Sequence, residues 1–202
     1  MVGNLQKMAT FAHVFQSKNN PYKMSKIHST TVLGIIHNGK VALGADGQAT
    51  FGNTVMKNNV KKVRKIADGR ILVGFAGATS DAFTLLERFE EKLNMYRGGL
   101  KRAAIELAKD WRTDRYLRKL ESMLIVMDKD EALIISGTGD VLDTEDGIFA
   151  IGSGSMFARA AAIALKKHAP HLSAKEMVQE AMTIAADICI YTNHNIEIHE
   201  ID

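Results

Sequence analysis

TTVLGIIHNGKVALGA, residues 30–45, reads as two strands folded about Asn38-Gly39. β-branched and apolar residues fill 30–37, Asn-Gly is the strongest two-residue hairpin signal, and 40–45 returns as the second strand. Downstream, residues 60–66 alternate charged and apolar side chains, Asp68-Gly69 turns the chain, and 70–76 reads as a buried strand. Helical spacing follows: Ala82, Leu85, Leu86, Phe89 and Leu93 recur every three or four residues, then Leu100, Ala104, Leu107 and Trp111, with Gly98-Gly99 between the two sets. Strands resume at 123–127, 132–136 and 148–151. A second helix pair is marked by Phe157, Ala161, Ala164 and Leu165, and then by Ser173 and Glu176 in capping-box spacing ahead of Met177, Ala181, Ile184 and Ile188. Residues 196–201 alternate as a final strand. Hairpin-joined strands with two inserted helix pairs predict mainly antiparallel sheets covered on both outer faces. The expected class is α/β (α+β), a four-layer α/β/β/α sandwich.

Upstream of Thr30 the character changes. Residues 1–29 carry Lys7, Lys18, Lys23 and Lys26 but no acid, show no sustained period, and lack the apolar core of a secretory signal. They read as a leader, a propeptide or a misplaced start (Met24 offers another), ahead of one domain at 30–202. The overall charge of +3 therefore misleads: beyond residue 29, 22 of the 26 basic groups face all 23 acidic ones. A near-neutral body lacks the bulk basicity of a nucleic-acid binder. The cluster Lys57, Lys61, Lys62, Arg64 and Lys65 reads as a solvated strand edge for most of its members. No apolar run approaches the ~20 residues that span a membrane. The single cysteine, Cys189, precludes an internal disulfide framework and fits a reducing compartment, the cytoplasm foremost.

Several chemistries lack their residues. The sequence has no GxxxxGK[ST] for a nucleotide, no HExxH or CxxC for a metal, and its seven histidines are scattered. Gly152-Ser153-Gly154-Ser155 follows a strand but does not keep the five-residue frame of a nucleophile elbow. Cys189 sits on the apolar face of the last helix beside Ile188 and Ile190, where a core role outweighs a nucleophile. What remains is Thr30. A hydroxyl nucleophile needs a base, and the α-amine of the same residue, with an ordinary pKa of about 7.7–8, can serve once the residue is N-terminal. Taken alone, Thr30 reads first as an ordinary β-branched strand entry.

Longer stretches bear on the choice. TTV at 30–32, GADGQATFGNTVMKNNVKKVRKI at 44–66, LVGFAGATSDAFTLLERFEEKL at 72–93, LAKDWRTDRYLRKLE at 107–121 and AIGSGS at 150–155 together resemble the HslV (ClpQ) family, bacterial peptidases related to proteasome β subunits. The resemblance spans nearly all of 30–202. It implies an N-terminal-nucleophile hydrolase fold and a threonine endopeptidase that degrades unfolded proteins. It also implies two stacked rings of six, autocatalytic removal of the leader, and an AAA+ unfoldase partner, HslU (ClpY), that supplies the ATP-driven step.

By the same resemblance, Thr30 matches the nucleophile and Asp46 the carboxylate that orients its backbone. Lys62 matches the lysine whose charge depresses the amine's pKa. Gly74 matches the oxyanion-hole glycine, and Ser153 a serine hydrogen-bonded near the amine. A monovalent cation, sodium in expectation, is implied at the carbonyls of Ala186, Cys189 and Thr192, near a helix end that capping by water or Asn193 would equally satisfy. On the functional reading, Lys62→Ala is expected to fold normally yet lose most peptide hydrolysis; outside the resemblance, Asp46 is a turn aspartate, Lys62 a surface strand lysine, and Gly74 a sheet glycine. The 29-residue leader departs from the family, whose members begin close to the threonine. Two rivals stay open: a stand-alone amidase with the same nucleophile, which a small monomer or dimer would favour, and a non-catalytic ring subunit that keeps its extension. N-terminal sequencing separates them.

Overall fold

The structure, a computed structural model, describes residues 30–117, 120 and 122–201. The expected leader, 1–29, lies outside the described residues. Strands β1 (Thr31–His37) and β2 (Lys40–Asp46) form the hairpin about Asn38-Gly39. Both turn residues have positive φ (51° and 74°), the geometry that Asn-Gly tolerates best. The short hairpin β3 (Ala49–Phe51) and β4 (Thr54–Lys57) follows, then β5 (Val63–Ile66) and β6 (Ile71–Gly77). Next come α1 (Thr79–Met95), α2 (Leu100–Thr113), β7 (Ser122–Met127), β8 (Ala132–Ser136), β9 (Val141–Leu142) and β10 (Ile148–Gly152). Helices α3 (Ser155–His168) and α4 (Ala174–Ile188) precede β11 (Ile196–Ile201).

Two antiparallel sheets stack, in the orders β10-β1-β2-β11 and β5-β6-β7-β8-β9. Between them lie Val32, Leu43, Val63, Leu72, Ile125 and Phe149. The opposite face of β1 and β2 puts Leu33, Ile35 and Ala42 against α3 and α4, and α1 and α2 cover the second sheet with Phe89 and Trp111 fully buried. Both faces of β1 are therefore apolar, which explains its unbroken hydrophobic run. Burial of each large side chain contributes about 1.5–3 kcal/mol. The four-layer α/β/β/α sandwich is the architecture expected from the element order.

The capping box forms as its spacing predicts: Ser173 Oγ accepts from Glu176 N while the Glu176 carboxylate accepts from Ser173 N. Two differences stand out. The β3–β4 hairpin was not anticipated, and the strand expected from residue 60 begins only at Val63, because Val60 N donates instead to Gly47 O (2.9 Å).

Candidate active site

Asp46 ends β2, and its buried carboxylate gathers four donors. Oδ1 accepts from Thr31 N (2.7 Å) and Lys62 Nζ (3.0 Å), and Oδ2 from Gln48 N (2.8 Å) and Asn193 N (3.4 Å). Asp46 is thus the last residue of a strand rather than a turn aspartate, and it joins Lys62 to the residue that follows Thr30. Lys62 also donates to Gln48 O at 2.6 Å. Burial lowers its pKa below the ordinary lysine value, against the pull of Asp46, which raises it. The surface reading of the lysine cluster holds for Lys57, Lys61 and Lys65 and fails for Lys62, which is 3% exposed.

Thr30 is buried, and its carbonyl accepts from Ser153 N at 2.7 Å, so the loop after β10 holds it from the other side. Thr31 Oγ1 accepts from Gly154 N (2.9 Å) and bonds to Thr192 Oγ1 (2.7 Å), bringing the loop after α4 to the same point. Thr30, Gly77, Gly152 and Ser153 share the wall of a cavity of about 900 Å³. Ser153 is exposed at this wall, and its main chain makes the contact to Thr30.

Gly74 does not sit there, and the oxyanion role expected for it is corrected. It lies in mid-strand, paired with Val63 on one side and Ile125 on the other, and a Cβ on it would meet Val32 Cγ1 at 2.7 Å between the sheets. Its small size serves packing. The β6 glycine that lines the cavity is Gly77, at the end of the strand, with φ of 130°. Phe75 N donates to Lys62 O (3.1 Å), and strand alternation turns the N–H of Gly77 to that same side, where β5 no longer pairs with β6. The G-F-A-G stretch (74–77) held the signal, but only strand pairing distinguishes its two glycines.

Cys189 caps α4 in extended conformation and is buried with a free thiol; it packs beside Gly154 but does not line the Thr30 cavity. Its carbonyl accepts from Thr192 N at 2.9 Å, and the last turn of α4 carries no basic side chain. Neutral carbonyl oxygens at such a helix end suit a monovalent cation. Gln48 and Asn193 complete the surroundings. Gln48 Nε2 donates to Ile190 O (2.8 Å), and the Asn193 side chain links Gly47 N (3.1 Å) to Asn58 O (3.0 Å). In the sequence, Asn193 stands out only as a candidate cap for the preceding helix.

The family profile described as "Proteasome subunit" matches residues 27–201. The "ATP-dependent protease subunit HslV" of Cytophaga hutchinsonii is 71% identical over 175 residues, covering 87% of this chain and 97% of the relative. Its counterpart in Amoebophilus asiaticus is 66% identical over 178 residues, covering 88% and 99%. Among solved structures, eukaryotic HslV from Trypanosoma brucei superposes with a TM-score of 0.81 at 43% identity, over 85% of this chain and 99% of that one. The BPH of Thiobacillus denitrificans, at 20% identity and a TM-score of 0.65 over 85% of this chain and 97% of that one, shares the fold.

Proposed function

The chain belongs to the proteasome subunit family, as a proteasome-like peptidase of an ATP-dependent protease, and on that premise we propose that Thr30 is its nucleophile. Cleavage of the Ser29–Thr30 bond frees an α-amine on the residue that carries the hydroxyl. That amine takes the Oγ proton as Oγ attacks the substrate carbonyl, and then passes it to the departing amine. The resulting ester is hydrolysed by water activated the same way. Gly77 N–H is the donor to the developing oxyanion, and Ser153 lies alongside. Lys62, held by Asp46, supplies the positive charge that keeps the amine unprotonated near neutral pH. The observation that carries this reading is the Asp46 carboxylate, which ties Thr31 N to the Lys62 ammonium within 3.0 Å. In mature protein, Thr30→Ser keeps measurable peptide hydrolysis and Thr30→Ala abolishes it; turnover by a Thr30→Ala ring would remove the assignment.

The relatives' name couples the peptidase to ATP, while this sequence has no GxxxxGK[ST] stretch. We place the ATPase in an AAA+ partner, HslU, acting on two stacked rings of six copies of this chain and feeding them unfolded protein. Co-sedimentation with HslU and ATP, together with light scattering, tests both points. Carbonyls of Ala186, Cys189 and Thr192 would hold a monovalent cation, sodium, whose charge offsets the C-terminal end of α4. No described helix is long and apolar enough to cross a membrane, and the proposed compartment is the cytoplasm.

A further inference from the structure

We propose that Asn193 is a positioning residue for peptide hydrolysis: its side-chain amide clamps the segment that carries Asp46 to the segment that leads into Lys62. The inference rests on the reading of Thr30, Asp46 and Lys62 given above and goes beyond it.

Asp46 and Lys62 arrive from different places. Asp46 ends β2, whereas Lys62 lies in the stretch between β4 and β5, where regular pairing has stopped. A separation of 3.0 Å between their charged atoms requires that these two segments keep a fixed register. Asn193 reaches both. Its Oδ1 accepts from Gly47 N (3.1 Å), the residue directly after Asp46, and its Nδ2 donates to Asn58 O (3.0 Å), four residues before Lys62. Its own N–H donates to Asp46 Oδ2 (3.4 Å), so the carboxylate and its flank are held by one residue.

The fit around this amide is close. A Cβ at Gly47 would lie 2.4 Å from Asn58 O, so the two backbones touch, and Val60 N donates to Gly47 O at 2.9 Å. Asn195 supports the clamp from outside: its N–H donates to Asn193 Oδ1 (3.2 Å) and its Nδ2 to Asn58 O (2.8 Å). An amide suits the position because it must accept from one main chain and donate to the other, which neither a carboxylate nor a hydrophobic side chain of that size can do.

Small displacements of reacting groups cost rate steeply, on the order of 10²-fold for 1 Å. Loss of the clamp should therefore appear in kcat, while KM, which reports the substrate-binding surface, stays near its normal value. Mature Asn193→Ala rings are compared with wild type for kcat, KM, Tm, ring mass and acylation rate by a peptide β-lactone. The expected result is a kcat and acylation rate about tenfold or more lower, with KM within about twofold and ring mass and Tm unchanged. Asn58→Ala keeps the acceptor carbonyl and removes only the longer contact of Asn193 Nδ2 to Asn58 Oδ1 (3.3 Å), so its loss of kcat should be smaller than that of Asn193→Ala. Asn193→Asp keeps the acceptor but loses the donor, and should be impaired like Asn193→Ala; it carries the comparison if the alanine variant fails to assemble. A kcat within twofold of wild type in Asn193→Ala, or in Asn193→Asp where only that ring forms, overturns the proposal. So does a loss of kcat that appears only together with a fall in Tm or ring mass. Failure of the underlying reading is recognised separately, by Thr30→Ala rings that still turn over.

Discussion

Lys62 Nζ lies 3.0 Å from Asp46 Oδ1, and both side chains are sealed from solvent, at 3% and 0% exposure. Breaking a buried pair from one side leaves the other charge unpaired, typically at a cost of about 3–5 kcal/mol. This revises the expectation that Lys62 can be replaced without harm to the fold. Lys62→Ala should lose peptide hydrolysis by about 10²-fold or more and should also melt at lower temperature. Neutralising both partners, as Lys62→Met with Asp46→Asn, should restore much of the Tm and none of the turnover. Calorimetry and a fluorogenic peptide assay on the same preparations check this, and a single variant that melts like wild type would contradict the buried pair.

The lowered pKa of Lys62 has a definite sign in stability. Below its folded pKa the group is charged in both states, and its burial opposes folding. Between that value and 10.5 the unfolded chain binds the extra proton, so the contribution to unfolding free energy rises with pH. Lys62→Met lacks this slope. The gap in Tm between wild type and Lys62→Met should therefore widen as pH is raised toward 10.5 in matched thermal scans. A gap that stays constant or narrows over that window would mean that the folded state does not depress this lysine.

Gly74 and Gly77 should respond differently to a methyl group. In Gly74→Ala the new Cβ meets Val32 Cγ1 at 2.7 Å, so the predicted effect is a loss of stability of about 1–3 kcal/mol from overpacking, with kcat preserved in the rings that fold. Gly77→Ala places a side chain at φ of 130° beside Thr30 and should lower kcat by 10-fold or more. Urea titration and steady-state kinetics separate the two. Equal kcat losses for both variants would return Gly74 to the site.

Much of this was legible in the sequence because it depends on local chemistry. Asn38-Gly39 turned where its residue types require, α1 and α2 buried the residues their apolar spacing marks, and Ser173 and Glu176 formed their reciprocal cap. In the second pair the spacing located the helices but not their buried face: α3 buries Ala158 and Ala162 while Phe157, Ile184 and Ile188 are exposed. The β3–β4 hairpin escaped because Phe51, Val55 and Met56 are exposed, so no buried face imposes an alternating pattern. Lys62 stood among surface lysines in the sequence, and its burial is set by a carboxylate 16 positions away. Resemblance pointed to a glycine in G-F-A-G, yet the end of β5 determines which one faces the cavity. Asn193 carried no readable signal at all, since its partners Asn58 and Gly47 lie 135 and 146 residues distant.

If Thr30 supplies both nucleophile and base, activity must follow the processing state of the chain. While residues 1–29 remain attached, the Thr30 nitrogen is an amide and is not basic near pH 7, although Asp46 and Lys62 stay in place. Mass spectrometry reports what fraction of each preparation begins at Thr30, and a fluorogenic peptide reports turnover in the same tube. Turnover should rise in proportion to the Thr30-first fraction, uncleaved chain should be inactive, and a chain begun as Met-Thr30 should be active once the methionine is removed. Robust hydrolysis by a wholly uncleaved preparation, blocked by a threonine-directed reagent, would contradict the α-amine mechanism. Inactivity of verified Thr30-first rings, with and without HslU and ATP, would contradict the assignment of catalysis to this chain.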